Sequence, residues 1–332
     1  MSEAVAFAHP NVALSKYWGK RPGDGRFPAV PSLSVTLAGL ATCTRVRFDR
    51  ALVDDRVILN GQTADERTCA RVIELLDRVR TAAREVRRAE VVSRNDFPTA
   101  SGLASSASGF AALALAATCA AGLDWAPSRV SDLARRGSAS AARSIFGGFV
   151  ELRAAPLAPR EADLLAAQSL AAADHLPLVV LVCVTTEAPK AIGSTEGMRV
   201  STERSPYARA WLEEAPRLHE RLCAAVLAKD FQGVGELAEA SALAMHASAI
   251  AAGVIYWTGA TLQALATVRG LRQAGVLAFA TVDAGPHVKV LTRPEDALRV
   301  REAMQATPGV VRVIEARPGE GANLANDARQ TI

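Results

Sequence analysis

The sequence predicts an α+β protein of two domains that share a cleft. Its 332 residues exceed one ordinary domain, and short strand patterns alternate with longer helical patterns in both halves. A proline-rich stretch, residues 154–160, is the candidate linker. We therefore expect domains at residues 1–172 and 173–332, each with an ample hydrophobic core.

Composition narrows the class of protein. Half of the residues are hydrophobic and 22% are charged with both signs mixed, which is typical of a globular chain. The net charge of +4 suits a polyanionic small ligand. No dense basic block is interleaved with aromatic residues, so nothing favours a nucleic-acid partner. The most apolar predicted helix, residues 109–123, is too short to span a bilayer, so no membrane partner is expected.

The cysteines and the N-terminus predict a cytoplasmic protein. The five cysteines are an odd number, widely scattered and without a C-x-x-C pair, so reduced and buried thiols are expected. The first residues lack the basic region and apolar core of a signal peptide.

Alternating or apolar segments predict five strands in the first half, at residues 4–9, 32–37, 43–48, 57–60 and 91–93. An amphipathic helix is expected over residues 65–87, with Val72, Leu75 and Val79 on its buried face. Arg71 borders that face, and such an arginine usually extends to solvent.

Residues 16–21, KYWGKR, combine two lysines, two aromatic residues and an arginine. The segment is either an amphipathic loop or a clamp for a phosphorylated substrate. The density of donors favours the clamp. A turn is expected over the next four residues.

Residues 97–108, FPTASGLASSAS, predict a small-residue loop that opens into a buried helix. Such a loop and the free N–H groups of the helix N-terminus suit a phosphate group. Ser105 and Ser106 offer hydroxyls for phosphate oxygens or Mg²⁺. The segment is neither a Walker A loop nor a G-x-G-x-x-G motif, and a serine-capped helix after a flexible turn is the alternative.

Residues 135–149 contain Ser138, Ser140 and Arg143. A helix that begins near Ser140 would place Ser140 and Arg143 on one face, where hydroxyl and guanidinium groups could grip a carboxylate. The plainer alternative is a capped surface helix with Arg143 in solvent.

The second half predicts an α+β sandwich of the split β-α-β kind. The expected order is a strand at 176–184, a small polar loop at 190–198, three helices near 207–228, 233–249 and 257–273, strands at 276–282 and 287–291, a helix at 294–306 and a strand at 310–314. Asp283 directly follows a strand, where it is either a reacting group or a turn former.

Two resemblances sharpen this interpretation. Residues 98–107 resemble the phosphate-binding motif of the GHMP kinase superfamily, P-x-x-x-G-L-x-S-S-A. The blocks HPNVALSKYWGKR, SLSVTL, FPTASGLASSASGF, ARRGSASAARSIFGGFVE, GSTEGMR and VDAGP, in this order, resemble the mevalonate diphosphate decarboxylases of that superfamily. The likeness covers about residues 5 to 291. It departs at Ala139, where that family commonly has glycine, and at residues 253–256, where it often has a proline pair.

The resemblance implies a two-domain GHMP-type fold: a ribosomal-protein-S5-like N-terminal domain and a ferredoxin-like C-terminal domain. It implies ATP-dependent decarboxylation of mevalonate 5-diphosphate to isopentenyl diphosphate, with ATP and Mg²⁺ as cofactors and commonly a homodimer. Asp283 would orient or deprotonate the C3 hydroxyl, and Arg143 would hold the substrate carboxylate with help from Asn11. Lys16 would lie near the transferred phosphoryl group.

The same resemblance assigns the binding residues. Those for the substrate would be Tyr17, Trp18, Gly19, Lys20, Arg71, Ser138, Ala139, Ser140, Ala141, Ala142 and Thr195. Those for ATP would be Ser93, Asn95, Pro98, Ser101, Gly102, Leu103, Ala104, Ser105, Ser106 and Ser194, with Ser106 also the Mg²⁺ ligand.

Three rival functions stay open at this point. A decarboxylase of the 5-monophosphate would use the same Asp283, Arg143 and Lys16, and the contacts of Thr195 and Arg71 bear on that choice. A GHMP kinase that phosphorylates without decarboxylation is disfavoured by the pairing of Asp283 with Arg143. A catalytically silent nucleotide-binding regulator is disfavoured because every charged candidate is present.

Overall fold

Three sheets and eight helices form within residues 2–21, 26–97, 105–188 and 191–325, which the computed structural model describes. The strands are β1 (Glu3–Ala8), β2 (Asn11–Ser15), β3 (Ser32–Thr36), β4 (Thr42–Asp49), β5 (Arg56–Leu59), β6 (Gln62–Thr63), β7 (Arg88–Asn95), β8 (Phe149–Leu152), β9 (Gln168–Ala171), β10 (Val179–Val184), β11 (Ala278–Val282), β12 (Val288–Thr292), β13 (Arg312–Ala316) and β14 (Asn323–Leu324). The helices are α1 (Glu66–Ala83), α2 (Ser105–Ala120), α3 (Pro127–Gly137), α4 (Ser194–Arg204), α5 (Ala208–Leu227), α6 (Phe231–Ala251), α7 (Gly259–Gln273) and α8 (Ala297–Gln305). Short 3₁₀ segments cover Ala139–Ile145 and Pro294–Asp296.

The first sheet has the order β14-β1-β4-β7-β5-β6 and packs against α1 and α2. Alternate residues of β4, such as Val46 and Phe48, face the helices. Helix α1 begins after its N-cap Asp65, as predicted, but it ends at Ala83 rather than near residue 87. Arg84 adopts a left-handed conformation and donates its backbone N–H to Arg80, which closes the helix.

The second sheet, β2-β3-β8-β9, joins the two halves of the chain. Residues 11–15 belong to it as β2, a strand that was not among those predicted from the sequence. Val12 and Leu14 share one core cluster with Val180 and Phe279 from the second half. Because β2 carries Asn11 and leads directly into Lys16, this shared core holds two predicted site residues between the halves.

The third sheet has the order β11-β12-β10-β13, and its neighbours are all antiparallel. The predicted sequence of strand, helices, two strands, helix and strand is confirmed. The polar loop expected at residues 190–198 is shorter than predicted, because α4 begins at Ser194. Ser194 and Thr195 are therefore the first two residues of a helix.

The C-terminal part of the chain returns to the first half. Strand β14 pairs with β1, and Gly148 donates its backbone N–H to the carbonyl of Gly319 at 2.8 Å. A Cβ on Gly147 would lie 2.7 Å from the nitrogen of Gly321, so this crossing needs glycine.

The structure bears on two expectations, the state of the cysteines and the presence of a membrane-spanning helix. All five cysteines are free, as predicted, but only Cys183 is fully buried and the other four are half-buried. Among the described residues, no helix is long and apolar enough to cross a membrane.

Candidate active site

Asp283 lies between two buried lysines. It follows β11 directly, and the returning strand β12 places Lys289 opposite Thr281. One carboxylate oxygen, Oδ1, is 2.7 Å from Lys16 Nζ, and the other, Oδ2, is 3.1 Å from Lys289 Nζ. Each lysine is 2% exposed. The backbone N–H of Lys16 donates to Ser241 on α6, and its ammonium also donates to the carbonyl of Ala13.

These contacts fix the charges of the trio. Burial alone raises the pKa of Asp283, but the ammonium groups of Lys16 and Lys289 outweigh it and bring that pKa well below its usual range. Burial lowers the pKa of Lys16 to about 8, against the opposing effect of Asp283. Asp283 is thus a charged carboxylate at neutral pH, and Lys16, with a pKa of about 8, keeps its positive charge there.

Arg143 is a buried cation without a carboxylate partner in the part of the chain that the structure describes. Its guanidinium is 1% exposed and donates to Ser34 Oγ at 2.9 Å, to Ser32 Oγ at 2.8 Å and to Asn11 Oδ1 at 3.4 Å. Burial lowers its pKa to about 10. Neutral acceptors fix its direction without neutralising its charge, so the site is suited to an anion.

The segment around Arg143 is helical from Ala139, close to the predicted start near Ser140. It is a 3₁₀ turn over Ala139–Ile145, and the alternative of a surface helix with Arg143 in solvent is wrong. Asn11 Nδ2 donates to the carbonyl of Ser140 at 3.0 Å and to Ser144 Oγ at 2.8 Å. Asn11 thereby ties the strand β2 to both the turn and the guanidinium.

A second group of cations contacts Gly137 and Thr195. Arg71 Nη2 donates to the carbonyl of Gly137 at 2.7 Å, Arg26 donates to the same oxygen, and Lys20 Nζ donates to Thr195 Oγ1 at 3.1 Å. Burial, together with the neighbouring arginines, lowers the pKa of Lys20 to about 8 and that of Arg71 to about 10. Like charges held this close favour a polyanionic ligand.

Two features of this cation group were not expected. Arg71 does not extend to solvent, because its guanidinium lies 4.5 Å from the centre of the Phe110 ring. Arg26 was not among the predicted site residues, since its position beside a predicted turn gave no periodic signal.

Three hydroxyls connect the phosphate-loop helix to this region. Ser106, the second residue of α2, lies 3.5 Å from Ser138 Oγ, which is 3.2 Å from Ser140 Oγ. Ser106 is exposed, and the preceding Ser105 opens the helix. Free N–H groups and two hydroxyls at this end fit nucleotide phosphates and a hard cation such as Mg²⁺. The predicted ATP residues Pro98, Ser101, Gly102, Leu103 and Ala104 lie outside the described residues.

Other predicted ATP residues already have protein partners. Ser93 Oγ is 2.8 Å from Thr44 Oγ1, and Asn95 Oδ1 accepts a hydrogen bond from Thr42 Oγ1 at 2.6 Å. Both contacts connect β7 to β4. Ser194 begins α4 directly after its N-cap Gly193. Nucleotide contact by these residues stays a prediction.

The remaining predicted substrate residues differ in the groups that they could offer to a ligand. The Tyr17 hydroxyl is buried and has no hydrogen-bond partner among the residues that the structure describes, and burial raises its pKa. Trp18 is a core residue that packs edge-on against Tyr256, inside the departure at residues 253–256. Gly19 has a φ of 123°, which only glycine adopts readily. Ala139, Ala141 and Ala142 are buried, so any contact they make with a ligand involves backbone atoms.

Lys289 is a contact of Asp283 that the sequence interpretation missed. The only signal was a lysine inside an otherwise apolar strand, VKVLT, six residues after Asp283. Charged residues are rarely buried unless they are paired, and this one is paired with Asp283.

The variant Lys289→Met tests this contact. Removing one of two cations raises the pKa of Asp283, so the acidic limb of the kcat/KM profile is expected to move to higher pH. The rate at neutral pH should fall about tenfold, the size of one charge-assisted hydrogen bond. Lys229→Met, at an exposed position, is the matched control. An unchanged pH profile in Lys289→Met would show that Lys289 does not affect the ionisation of Asp283 during the reaction.

The fold and the site together define a two-domain protein of the GHMP type with a cationic, anion-binding centre between its halves. Two family models match the chain: the diphosphomevalonate decarboxylase-like N-terminal domain over residues 8–160, and the mevalonate 5-diphosphate decarboxylase C-terminal domain over residues 180–322. The chain belongs to the diphosphomevalonate decarboxylase family.

Individual relatives agree with this assignment. Diphosphomevalonate decarboxylase from Ganoderma lucidum is 32% identical over 324 residues, which cover 90% of this chain and 80% of the relative. Phosphomevalonate decarboxylase from Haloferax volcanii is 33% identical over 314 residues, 91% of this chain and 92% of the relative. The solved structure of MDDEF in complex with MVAPP, AMPPCP and magnesium is 36% identical, with a TM-score of 0.89 over 97% of this chain and 98% of that chain.

Proposed function

We propose that this enzyme decarboxylates mevalonate 5-diphosphate at the expense of ATP, giving isopentenyl diphosphate, CO₂, ADP and phosphate. The observation that carries this proposal is Arg143: a fully buried guanidinium, oriented by Ser32, Ser34 and Asn11, that pairs with no carboxylate among the described residues. A substrate carboxylate supplies the missing anion. Arg143 contacts Asn11 at the start of β2, and Asp283 contacts Lys16 directly after that strand, so one small substrate can place its carboxylate at Arg143 and its hydroxyl at Asp283.

The chemistry explains why a carboxylate is needed at Asp283. A tertiary alcohol is a poor leaving group, and transfer of a phosphoryl group from ATP to the C3 oxygen makes it a good one. Departure of that phosphate builds positive character at C3, and loss of CO₂ supplies the electron pair for the double bond. Asp283 accepts a hydrogen bond from the C3 hydroxyl and thereby directs the hydroxyl oxygen at the γ-phosphoryl group of ATP.

The low pKa of Asp283 favours orientation over early proton removal. A carboxylate held by two ammonium groups is a weak base, so the hydroxyl proton passes to it late, as the phosphorus–oxygen bond forms. Lys16, which contacts Asp283 in the structure, can turn its positive charge towards the transferred phosphoryl group.

The nucleotide belongs at the N-terminal end of α2. The exposed Ser106 hydroxyl lies at that end, beside the Ser138 hydroxyl, and the helix N-terminus favours negative charge. Ser105 and Ser106 would hold Mg²⁺ there, and the ion would offset the negative charge of the phosphate groups. A magnesium ion and AMPPCP, an ATP analogue, accompany MVAPP in the related solved structure, which supports the same ligands here.

The variant Ser106→Ala is expected to raise the KM for ATP about tenfold, because one hydrogen bond to a charged phosphate is lost. The KM for mevalonate 5-diphosphate should change less. Steady-state kinetics with each substrate varied in turn measure both constants. A larger effect on the substrate KM than on the ATP KM would move Ser106 out of the nucleotide site.

The cation group favours a diphosphate over a monophosphate. Lys20, Arg26 and Arg71 converge around Gly137 and Thr195, away from the charges that Asp283 neutralises. A monophosphate leaves more of this positive charge unmatched. The Haloferax relative, a phosphomevalonate decarboxylase, makes the monophosphate the specific alternative.

ADP release with mevalonate 5-diphosphate and with the 5-monophosphate, compared in parallel, tests this choice. We expect kcat/KM to favour the diphosphate by about 10²-fold, and Arg71→Met to reduce that preference. Arg217→Met, at an exposed position, is the control. A preference for the monophosphate would retain the mechanism and overturn the substrate assignment.

Three further predictions rest on the family resemblance and the sequence alone. They are the domain boundary between residues 172 and 173, the cytoplasmic location and the homodimer. Size measurement in solution tests the last of these.

A further inference from the structure

A histidine, a cysteine and a glutamate bring their donor atoms together beneath the second sheet. His219 and Cys223 lie one turn apart on α5, and Glu151 lies on β8. His219 Nε2 is 3.0 Å from Glu151 Oε1 and 3.5 Å from Cys223 Sγ, and the three donor atoms all lie within 4.8 Å of one another. We propose that this cluster is a zinc-binding site, separate from the groups that contact Asp283.

The spacing fits a tetrahedral ion. Zn²⁺ binds imidazole nitrogen, carboxylate oxygen and thiolate sulfur at about 2.0–2.3 Å, which places neighbouring donors roughly 3.3–3.6 Å apart. The two separations from His219 lie close to this range without any rearrangement of the backbone. One thiolate and one imidazole select Zn²⁺ over Mg²⁺ or Ca²⁺, which prefer oxygen ligands.

The other nitrogen of His219 has the support that metal-binding histidines usually have. His219 Nδ1 is 2.9 Å from Ser15 Oγ, and that oxygen accepts the backbone N–H of Leu33 at 2.7 Å. Ser15 and Glu151 are the register partners of Leu33 on its two sides, so the sheet fixes both ends of the imidazole. A hydroxyl oxygen accepts a hydrogen bond as readily as the hydroxyl donates one, so Ser15 Oγ can accept the Nδ1–H of His219, which leaves the Nε2 lone pair free for the ion.

The site is supported within the protein and still reachable. His219 is 4% exposed, whereas Glu151 and Cys223 are half-buried, so an ion can enter and water can take the fourth position. Cys223 is a free thiol. On binding, its S–H bond breaks, the proton passes to solvent and the sulfur forms a bond to zinc, with no change of oxidation state.

A bound ion would connect the two halves of the molecule. Glu151 and Ser15 belong to the first half and α5 to the second, while Ser15 directly precedes Lys16. Zinc is therefore expected to raise the melting temperature of the protein, since it binds only the folded arrangement tightly.

Titration of the metal-free, reduced full chain with Zn²⁺ alone, in competition with a chromophoric chelator, tests the site. We expect one tight equivalent for the wild type and for the control Cys69→Ala, whose sulfur donates to the carbonyl of Ala64 in the first half of the chain. Cys223→Ala should lose this equivalent, and Ser15→Ala should weaken it by roughly 10–100-fold. Equal binding by wild type and Cys223→Ala, or no tight equivalent in the wild type, would overturn the proposal.

A measurement on the wild type alone avoids any folding defect of a variant. Zn²⁺ should slow alkylation of Cys223, followed by peptide mass spectrometry, while the rate at Cys69 stays the same. Co²⁺ should give the visible absorption of a tetrahedral thiolate complex. Equal alkylation of Cys223 with and without Zn²⁺ would contradict the assignment, whatever the variants do.

Discussion

Asp283→Asn should lower kcat by about 10³-fold or more while ATP binding survives. The amide has the same shape but no charge, so it neither accepts the hydroxyl proton nor balances Lys16 and Lys289. The nucleotide contacts are expected at the other side of the site, near Ser106 and α2. Steady-state ADP release gives kcat, and calorimetry with an ATP analogue gives the nucleotide affinity.

Asp54→Asn, at an exposed turn, controls for the substitution itself and should behave as the wild type. If Asp283→Asn kept the wild-type rate, Asp283 would be a structural partner of two lysines and nothing more. If it lost nucleotide affinity to the same extent as turnover, the separation of the two subsites would be wrong.

Arg143→Lys should lower kcat/KM by about 10²-fold although the positive charge remains. The guanidinium contacts Ser32, Ser34 and Asn11 simultaneously, which leaves its direction fixed for a carboxylate. An ammonium group cannot make all three contacts and still face the substrate. The loss should appear with the substrate varied and not with ATP varied.

Arg217→Lys, on the exposed side of α5, is the matched control. Melting temperatures show whether Arg143→Lys still folds, since two buried serine hydroxyls lose their donor. A folded Arg143→Lys variant with an undiminished kcat/KM would place Arg143 outside the substrate site.

Local patterns predicted most of the second half of the fold. The apolar run that forms β10 and the strand pair that flanks Asp283 have lengths and turn residues that admit few alternatives. Strand β2 escaped prediction because Asn11, Ser15 and Lys16 look like loop residues. Their partners, such as Ser140, Leu33 and Asp283, come from distant parts of the chain, so their burial has no local signature.

The candidate site likewise contains residues that sequence motifs reveal and residues that only contacts between distant parts of the chain reveal. The turn at Asp283 and the block around Arg143 stand out as motifs. The contacts that fix the orientation of the Arg143 guanidinium come from Ser32 and Ser34, more than a hundred residues earlier. Lys289 and Arg26 are isolated charges in the sequence, and only the packed structure brings Lys289 to Asp283 and Arg26 to the carbonyl of Gly137.

The central claim is that phosphoryl transfer and decarboxylation occur on one substrate in one site. Incubation of the purified enzyme with ATP, Mg²⁺ and carboxyl-labelled mevalonate 5-diphosphate, with ADP and labelled CO₂ measured in the same samples, tests it most directly. The account predicts equal amounts of both products at every time point. ADP without CO₂ would make the protein a kinase and would contradict the roles assigned to Asp283 and Arg143.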